Sequence, residues 1–181
     1  MSVTLADIEA ARRTIAGRVL RTPMLAAPKL SALIGAEVYV KYENMHVTNS
    51  FKERGAVNKL ASLTADEQRR GVIAMSAGNH AQALAYHAQK MQIPTTIVMP
   101  ETTPFVKVEA TRAYGADVVL EGETLSEAQT RCEAIMRERG LILVHPYDDA
   151  RVIAGQGTIA LEMLEDVPDL DMLVIRSAVA G

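Results

Sequence analysis

The sequence predicts an α/β fold, a parallel sheet with helices on both faces, and two observations carry that expectation. Short apolar runs of strand length recur at 72–75, 95–99, 117–120 and 141–145. Between them lie segments with apolar residues at helical spacing, and repeated helical crossovers of this kind join parallel strands buried on both sides.

Taken in order, Thr4 followed by Asp7 three residues later opens a helix over 4–16. Thr22-Pro23 breaks the chain, 30–34 form a short helix, and 37–42 form a strand. Ser50 followed by Glu53 has the spacing of a second capping box, which predicts a helix over 51–63 carrying Phe51, Val57, Leu60 and Leu63 on related faces. The strand at 72–75 leads through a polar run into a helix over 80–91. Ile93-Pro94 precedes the strand at 95–99, and Pro100 and Pro104 bracket a loop before a helix over 105–114. A strand at 117–120, a long helix over 124–139 and a strand at 141–145 complete the series. The last quarter leaves this sheet. Pro146-Tyr147-Asp148-Asp149 is a turn cluster, Gly155 and Gly157 precede a helix over 158–164, and 171–175 is a strand with only Arg176 to Gly181 after it.

Composition bounds the function. A chain of 181 residues holds one sizeable core, or one small domain and part of another. It is 49% hydrophobic with a formal charge of −3, and no apolar stretch reaches the length of a membrane span. Asp7, Glu9, Arg12 and Arg13 interrupt the first twenty residues, which therefore do not resemble a signal peptide, and the cytoplasm is the expected location. The one cysteine, Cys132, has no internal disulfide partner and is expected to pack in a helix. Asp148, Asp149 and Glu162 match no metal loop, so no metal is expected and these carboxylates are expected to face solvent or cap a helix. Mild acidity without a Lys/Arg stripe argues against nucleic acid.

Two segments carry chemistry. Lys52 falls in the first turn of a helix directly after a polar loop, where free amides and the positive end of the helix dipole disfavour an ammonium. Only a neutral amine attacks a carbonyl, so such a lysine suits imine chemistry, although a first-turn lysine taken alone is more often a solubilising residue. The second segment, Ser76-Ala77-Gly78-Asn79-His80, lies between a strand and a helix. In a parallel sheet that turn sits beyond the carboxyl end of the strand, and a Gly-opened helix start presents amides to an anion. Neither a G-x-G-x-x-G fingerprint nor a P-loop is present. By itself Asn79 reads as a left-handed turn residue, His80 as a cap neighbour or a substrate contact, and Arg54 as a structural partner of Glu53 or of the C-terminal part of the sheet.

Together, SFKERGA at 50–56, SAGNHAQ at 76–82 and KVEATRAYGA at 107–116 resemble the threonine/serine dehydratases (threonine ammonia-lyases), pyridoxal-phosphate enzymes of the tryptophan-synthase-β fold group. The resemblance runs to about Val174. It implies pyridoxal 5′-phosphate as cofactor, a Schiff base at Lys52, and cofactor contacts from Phe51 and from Asn79, the latter to the 3-hydroxyl of the ring. It implies that Ser76, Ala77, Gly78, Asn79 and His80 hold the substrate carboxylate. The implied reaction is deamination of L-threonine or L-serine, a small β-hydroxy amino acid, to 2-oxobutanoate or pyruvate and ammonia, in a homo-oligomer.

The same resemblance divides the chain. Residues 48–145 become a small α/β domain carrying the lysine and the substrate loop. Residues 1–47 become the N-terminal part of a large cofactor domain and 146–181 the return to it, an incomplete second α/β domain whose remainder is absent. Where the family continues with Pro-Val and a run of glycines around the cofactor phosphate, this chain has Arg176-Ser177-Ala178-Val179-Ala180, and Val179 is poorly suited to a nest of amides. The 181-residue chain alone is therefore expected to bind cofactor weakly and turn over little or no substrate. Two rivals stay open: a serine racemase of the same fold, disfavoured because Ala77 stands where the racemases use a serine, and a non-catalytic fragment or interaction module.

Overall fold

The computed structural model describes residues 2–175. Thr4 caps α1 (Leu5–Ile15) as predicted: its hydroxyl accepts from the Asp7 amide, and the Asp7 carboxylate accepts from the Thr4 amide. β1 (Met24–Ala26) and β2 (Tyr39–Lys41) flank α2 (Pro28–Ile34) and pair antiparallel, with Leu25 opposite Val40. The sequence left the strand at 37–42 without a neighbour. Its partner β1 spans three residues, too few to show an alternating pattern.

A 3₁₀ turn over Glu43–Met45 leads to α3 (Lys52–Ala61) and α4 (Ala65–Arg70). α4 was not predicted. A Thr64–Glu67 capping box starts it, but it buries no residue and so shows no apolar period. Then strands and helices alternate as expected: β3 (Val72–Met75), α5 (Asn79–Lys90), β4 (Thr95–Met99), α6 (Phe105–Ala113), β5 (Asp117–Leu120), α7 (Leu125–Arg139) and β6 (Ile142–Leu143). These four strands form one parallel sheet in the order β5-β4-β3-β6.

Strand alternation sends side chains to opposite faces. Val72, Ala74, Ile97 and Met99 pack with Leu60 of α3 and with Ala81, Leu84 and Ala88 of α5, whereas Ile73 and Val98 pack with Ala128, Cys132 and Ile135 of α7. The sheet is therefore covered on both sides, and Cys132 is the packing residue the sequence predicted, fully buried. Turns leaving the carboxyl ends of β3 and β6 lie on neighbouring strands, which places residues 76–80 beside 144–148.

The last quarter departs from expectation. α8 runs from Ala150 to Asp166, seventeen residues in place of the predicted seven, and starts at Asp149, whose carboxylate caps the amides of Arg151 and Val152. Gly155 and Gly157 lie inside the helix and not before it. A Cβ on Gly155 would stand 2.6 Å from the Arg54 carbonyl oxygen, and one on Gly157 would stand 2.8 Å from Ile8 Cδ1, so both glycines serve close helix packing. The predicted strand at 171–175 is irregular chain with Met172 and Val174 exposed, and among the described residues no neighbouring strand receives it. β6 is likewise shorter than the predicted 141–145. The expectation for Arg176 to Gly181, with the altered phosphate loop, lies outside the described residues. Among those residues α8 packs on both α3 and α1, giving one α/β unit with a parallel and an antiparallel sheet, and no helix is long and apolar enough to cross a membrane.

Gly155→Ala tests the α3–α8 contact. The added methyl meets backbone at Arg54 and Gly55, which cannot move alone, so stability should fall by about 1–3 kcal/mol or more in urea unfolding. Gly78→Ala, where nothing lies within 4 Å of the new carbon, should cost only what a poorer helix cap costs, about 1 kcal/mol or less.

Candidate active site

Lys52 is the first residue of α3, but the predicted capping box does not form. Phe51 is the cap residue, the Ser50 hydroxyl accepts from the Lys52 amide at 3.2 Å, and the Glu53 carboxylate turns elsewhere. The Lys52 side chain is half-buried. Its ammonium donates to the Pro146 carbonyl at 2.7 Å, sits 5.3 Å from the Phe51 ring centre, and pairs with no carboxylate among the described residues. Burial lowers its pKa, so the direction expected at the helix start holds while the cause is desolvation. A cavity of about 590 Å³ opens beside it, walled by Phe51, Lys52, Pro146, Tyr147, Gln156 and Met163.

The turn at 76–80 leaves free amides at the start of α5. The Ser76 hydroxyl accepts from the Gly78 amide at 3.3 Å, and Gly78 caps α5. Gln82 is the first residue to bond back into the helix, so the amides of Asn79, His80 and Ala81 have no helical carbonyl partner. Asn79 is exposed, is not in the left-handed region that a turn residue would occupy, and makes no side-chain hydrogen bond among the described residues. Ala77 presents only a methyl group. The turn is not part of the cavity wall.

His80 behaves differently from a side-chain substrate contact. Its ring is 2% exposed and its Nε2 donates to the Val144 carbonyl at 2.9 Å, so only its backbone amide serves the turn. Burial, helped by the nearby charges of Lys52 and His145, pushes its pKa down to about 4. It is neutral at pH 7. Lys52 and His80 thus rest on carbonyls two residues apart on the strand exit at 144–146, which brings the two predicted loops to one place.

Immediately behind Lys52, Glu53 and Arg54 are both buried. Arg54 lies between Glu43 and Glu162, bonded to both oxygens of each at 2.7–2.8 Å, and not against Glu53. Glu162, expected in solvent or at a cap, is in this network and also takes Lys41 at 2.8 Å. Burial opposes ionisation of Glu43, yet hydrogen bonds from His46, Arg54 and Thr22 outweigh it and hold the carboxyl at about 2. The carbonyls of Val144 and Pro146 could not have been found from sequence, since every residue type carries one. His87 had a signal that went unused: seven residues from His80, it shares that helix face.

A family model described as "Pyridoxal-phosphate dependent enzyme" matches residues 15–181. The chain belongs to the pyridoxal-phosphate dependent enzyme family. An L-threonine ammonia-lyase from Thermotoga maritima is 49% identical over 173 residues, covering 96% of this chain and 43% of that protein. A catabolic L-threonine dehydratase from Staphylococcus aureus is 45% identical over 174 residues, covering 96% of this chain and 50% of that protein. The crystal structure of serine racemase from Dictyostelium discoideum superposes with a TM-score of 0.88 at 40% identity, covering 93% of this chain and 55% of that one. The chain spans about half the length of the curated relatives it matches.

The residues present fit the family's cofactor. A desolvated amine without a counter-ion, an aromatic ring beside it and a cavity opening onto both are what an aldehyde-bearing ring requires. Among the described residues no cluster of side chains is suited to a metal ion.

The depressed pKa of His80 has a consequence for acid stability. The unfolded chain takes up a proton near 6.5 and the folded one only near 4, so stability is complete above about pH 6.5 and falls as pH drops through 4. The loss should reach roughly 3 kcal/mol. His80→Gln retains a donor for Val144 and should flatten urea-unfolding stability between pH 6.5 and 4, leaving the lower window, 4.5 to 2, to Glu43. An unchanged slope would show that His80 is not the group responsible.

Proposed function

We propose that this chain carries the lysine and the carboxylate-binding turn of a pyridoxal-phosphate ammonia-lyase that converts L-threonine to 2-oxobutanoate, or L-serine to pyruvate, with release of ammonia. The observation that carries this is the Lys52 amine, desolvated, lacking a counter-ion among the described residues and tethered to the same strand exit as the turn. The activity is proposed for a protein of the relatives' full length, and two curated relatives with these names support it. Residues 48–145 would form the small domain, and 1–47 with 146–181 would belong to a large one, in a cytoplasmic homo-oligomer that binds a small amino acid and no nucleic acid.

Bound pyridoxal phosphate supplies an electron sink for charge left at the substrate Cα. Lys52 would hold the cofactor and, once released, take the Cα proton with its neutral amine, a state that burial favours. Phe51 would wall the ring, and the exposed Asn79 amide would serve its 3-hydroxyl. The substrate carboxylate would sit on the free amides of Asn79, His80 and Ala81 with the Ser76 hydroxyl beside them. Net, threonine loses ammonia: the water expelled from Cβ is regained when the product enamine hydrolyses.

A second reading is serine racemisation, favoured by the serine racemase superposition. Ala77 opposes it, because a methyl group donates no proton to the far face of Cα.

Two results are expected. Borohydride reduction of cofactor-loaded protein should place the pyridoxyl group on Lys52, since Lys41 is held by Glu162 and Lys59 by Asp149. An adduct chiefly on Lys41, Lys59 or Lys107 would remove the assignment, and Lys52→Ala should lower turnover at least about 10²-fold. In a protein of full family length, Ala77→Ser should raise serine racemisation relative to deamination, as followed by chiral assay alongside 2-oxo-acid release. Substantial racemisation without the substitution would favour the second reading.

A further inference from the structure

α5 is fastened twice along one face. His80 and His87 are seven residues apart, both are buried, and each donates through Nε2. His80 reaches the Val144 carbonyl at 2.9 Å, on the strand exit that also receives the Lys52 ammonium at Pro146. His87 reaches Glu53 Oε2 at 2.8 Å, and Glu53 is the residue after Lys52. The other oxygen of Glu53 accepts from the Thr48 amide at 2.6 Å and hydroxyl at 2.9 Å, which ties down the loop leading into Lys52. The contacts close a circuit: Lys52 to the strand exit, strand exit to His80, along α5 to His87, then through Glu53 back to Lys52.

We propose that the buried Glu53–His87 pair is a positioning link that fixes the spacing between the Lys52 amine and the anion-binding turn at the start of α5. The proposal rests on the reading of Lys52 as the cofactor lysine. Without the pair, α3 and α5 remain packed through apolar contacts such as Leu60 with Leu84, but those contacts are non-directional and do not fix rotation of the first turn of α3. Three directional hydrogen bonds on a desolvated carboxylate do. Neither Glu53 nor His87 lines the cavity, so the effect of the pair is transmitted through backbone position.

The test uses a protein of the relatives' full length and its variants Glu53→Gln, His87→Asn and the double substitution. Each is mixed with pyridoxal phosphate, trapped with cyanoborohydride and mapped by mass spectrometry, and the labelling rate at Lys52 is normalised to folded protein by circular dichroism. A misplaced amine should label on the order of 10- to 100-fold more slowly. The double variant should lose no more than the worse single, because one link is cut in all three. Ile135→Val, a core truncation on the α7 side of the sheet, should lower the melting temperature and leave labelling unchanged. Wild-type labelling with equal labelling in the variants overturns the positioning role and leaves the functional reading standing. Absence of labelling at Lys52 in the wild type overturns the functional reading and the link with it. Loss of folding in either single variant, or additive loss in the double one, would make the pair structural and also overturn the proposal.

Discussion

The guanidinium of Arg54, fully buried between the carboxylates of Glu43 and Glu162, is the interaction on which the rest of the structure depends. It joins three stretches of chain, the farther carboxylate lying 108 residues from Arg54. Isolated burial of any of these charges would cost several kcal/mol, but every guanidinium nitrogen of Arg54 and every carboxylate oxygen of Glu43 and Glu162 is matched, with Thr158, Lys41 and His46 taking remaining positions. A buried ion network of this kind is weak evidence for net stability against an apolar core of equal volume. What it does is fix geometry, since misregistered packing of α3 on α8 would strand a charge. The glycine contact at Gly55 and Gly155 completes that register by letting the two helix backbones approach without intervening side chains.

Most of the sheet was legible because its signals are local. Val72 to Met75 and Thr95 to Met99 are short apolar runs, and the helices between them show their period without help from distant residues. α8 was misjudged for the opposite reason. Gly155 and Gly157 break a helix by intrinsic propensity, at about 1 kcal/mol each, and only packing against Arg54 and Ile8 overrides that preference. The Ser50–Glu53 box failed similarly. Its spacing is correct, but the carboxylate has a better partner in His87, 34 residues away, and a local motif cannot announce a competitor at that distance.

The candidate site was half legible. Lys52 and the 76–80 turn carry residue-type signals, and the structure brings both to the exit of β6. His80 was read as a possible binder because of its company in the motif, whereas its ring faces inward, a matter of helix phase that its neighbours Ala81 and Leu84 encode only once the position of the sheet is known. The resting partner of Lys52 is a backbone carbonyl, and no sequence pattern specifies which carbonyl a lysine will meet.

Three consecutive residues then show how one helix start divides its electrostatics. Glu53 and Arg54 point into the protein, and every charge they bring is compensated by named partners. Lys52 points into the cavity and receives a carbonyl alone. Had Lys52 drawn a carboxylate from the same supply, the ion pair would favour its ammonium and raise the pKa, opposing the burial that now lowers it. Glu43 and Glu162 are consumed by Arg54, Glu53 by Thr48 and His87, and Asp149 by Lys59 and the start of α8. Saturating the nearby carboxylates is therefore what leaves burial free to lower the Lys52 pKa: the structural network and the state of the amine are two consequences of the same allocation of charge.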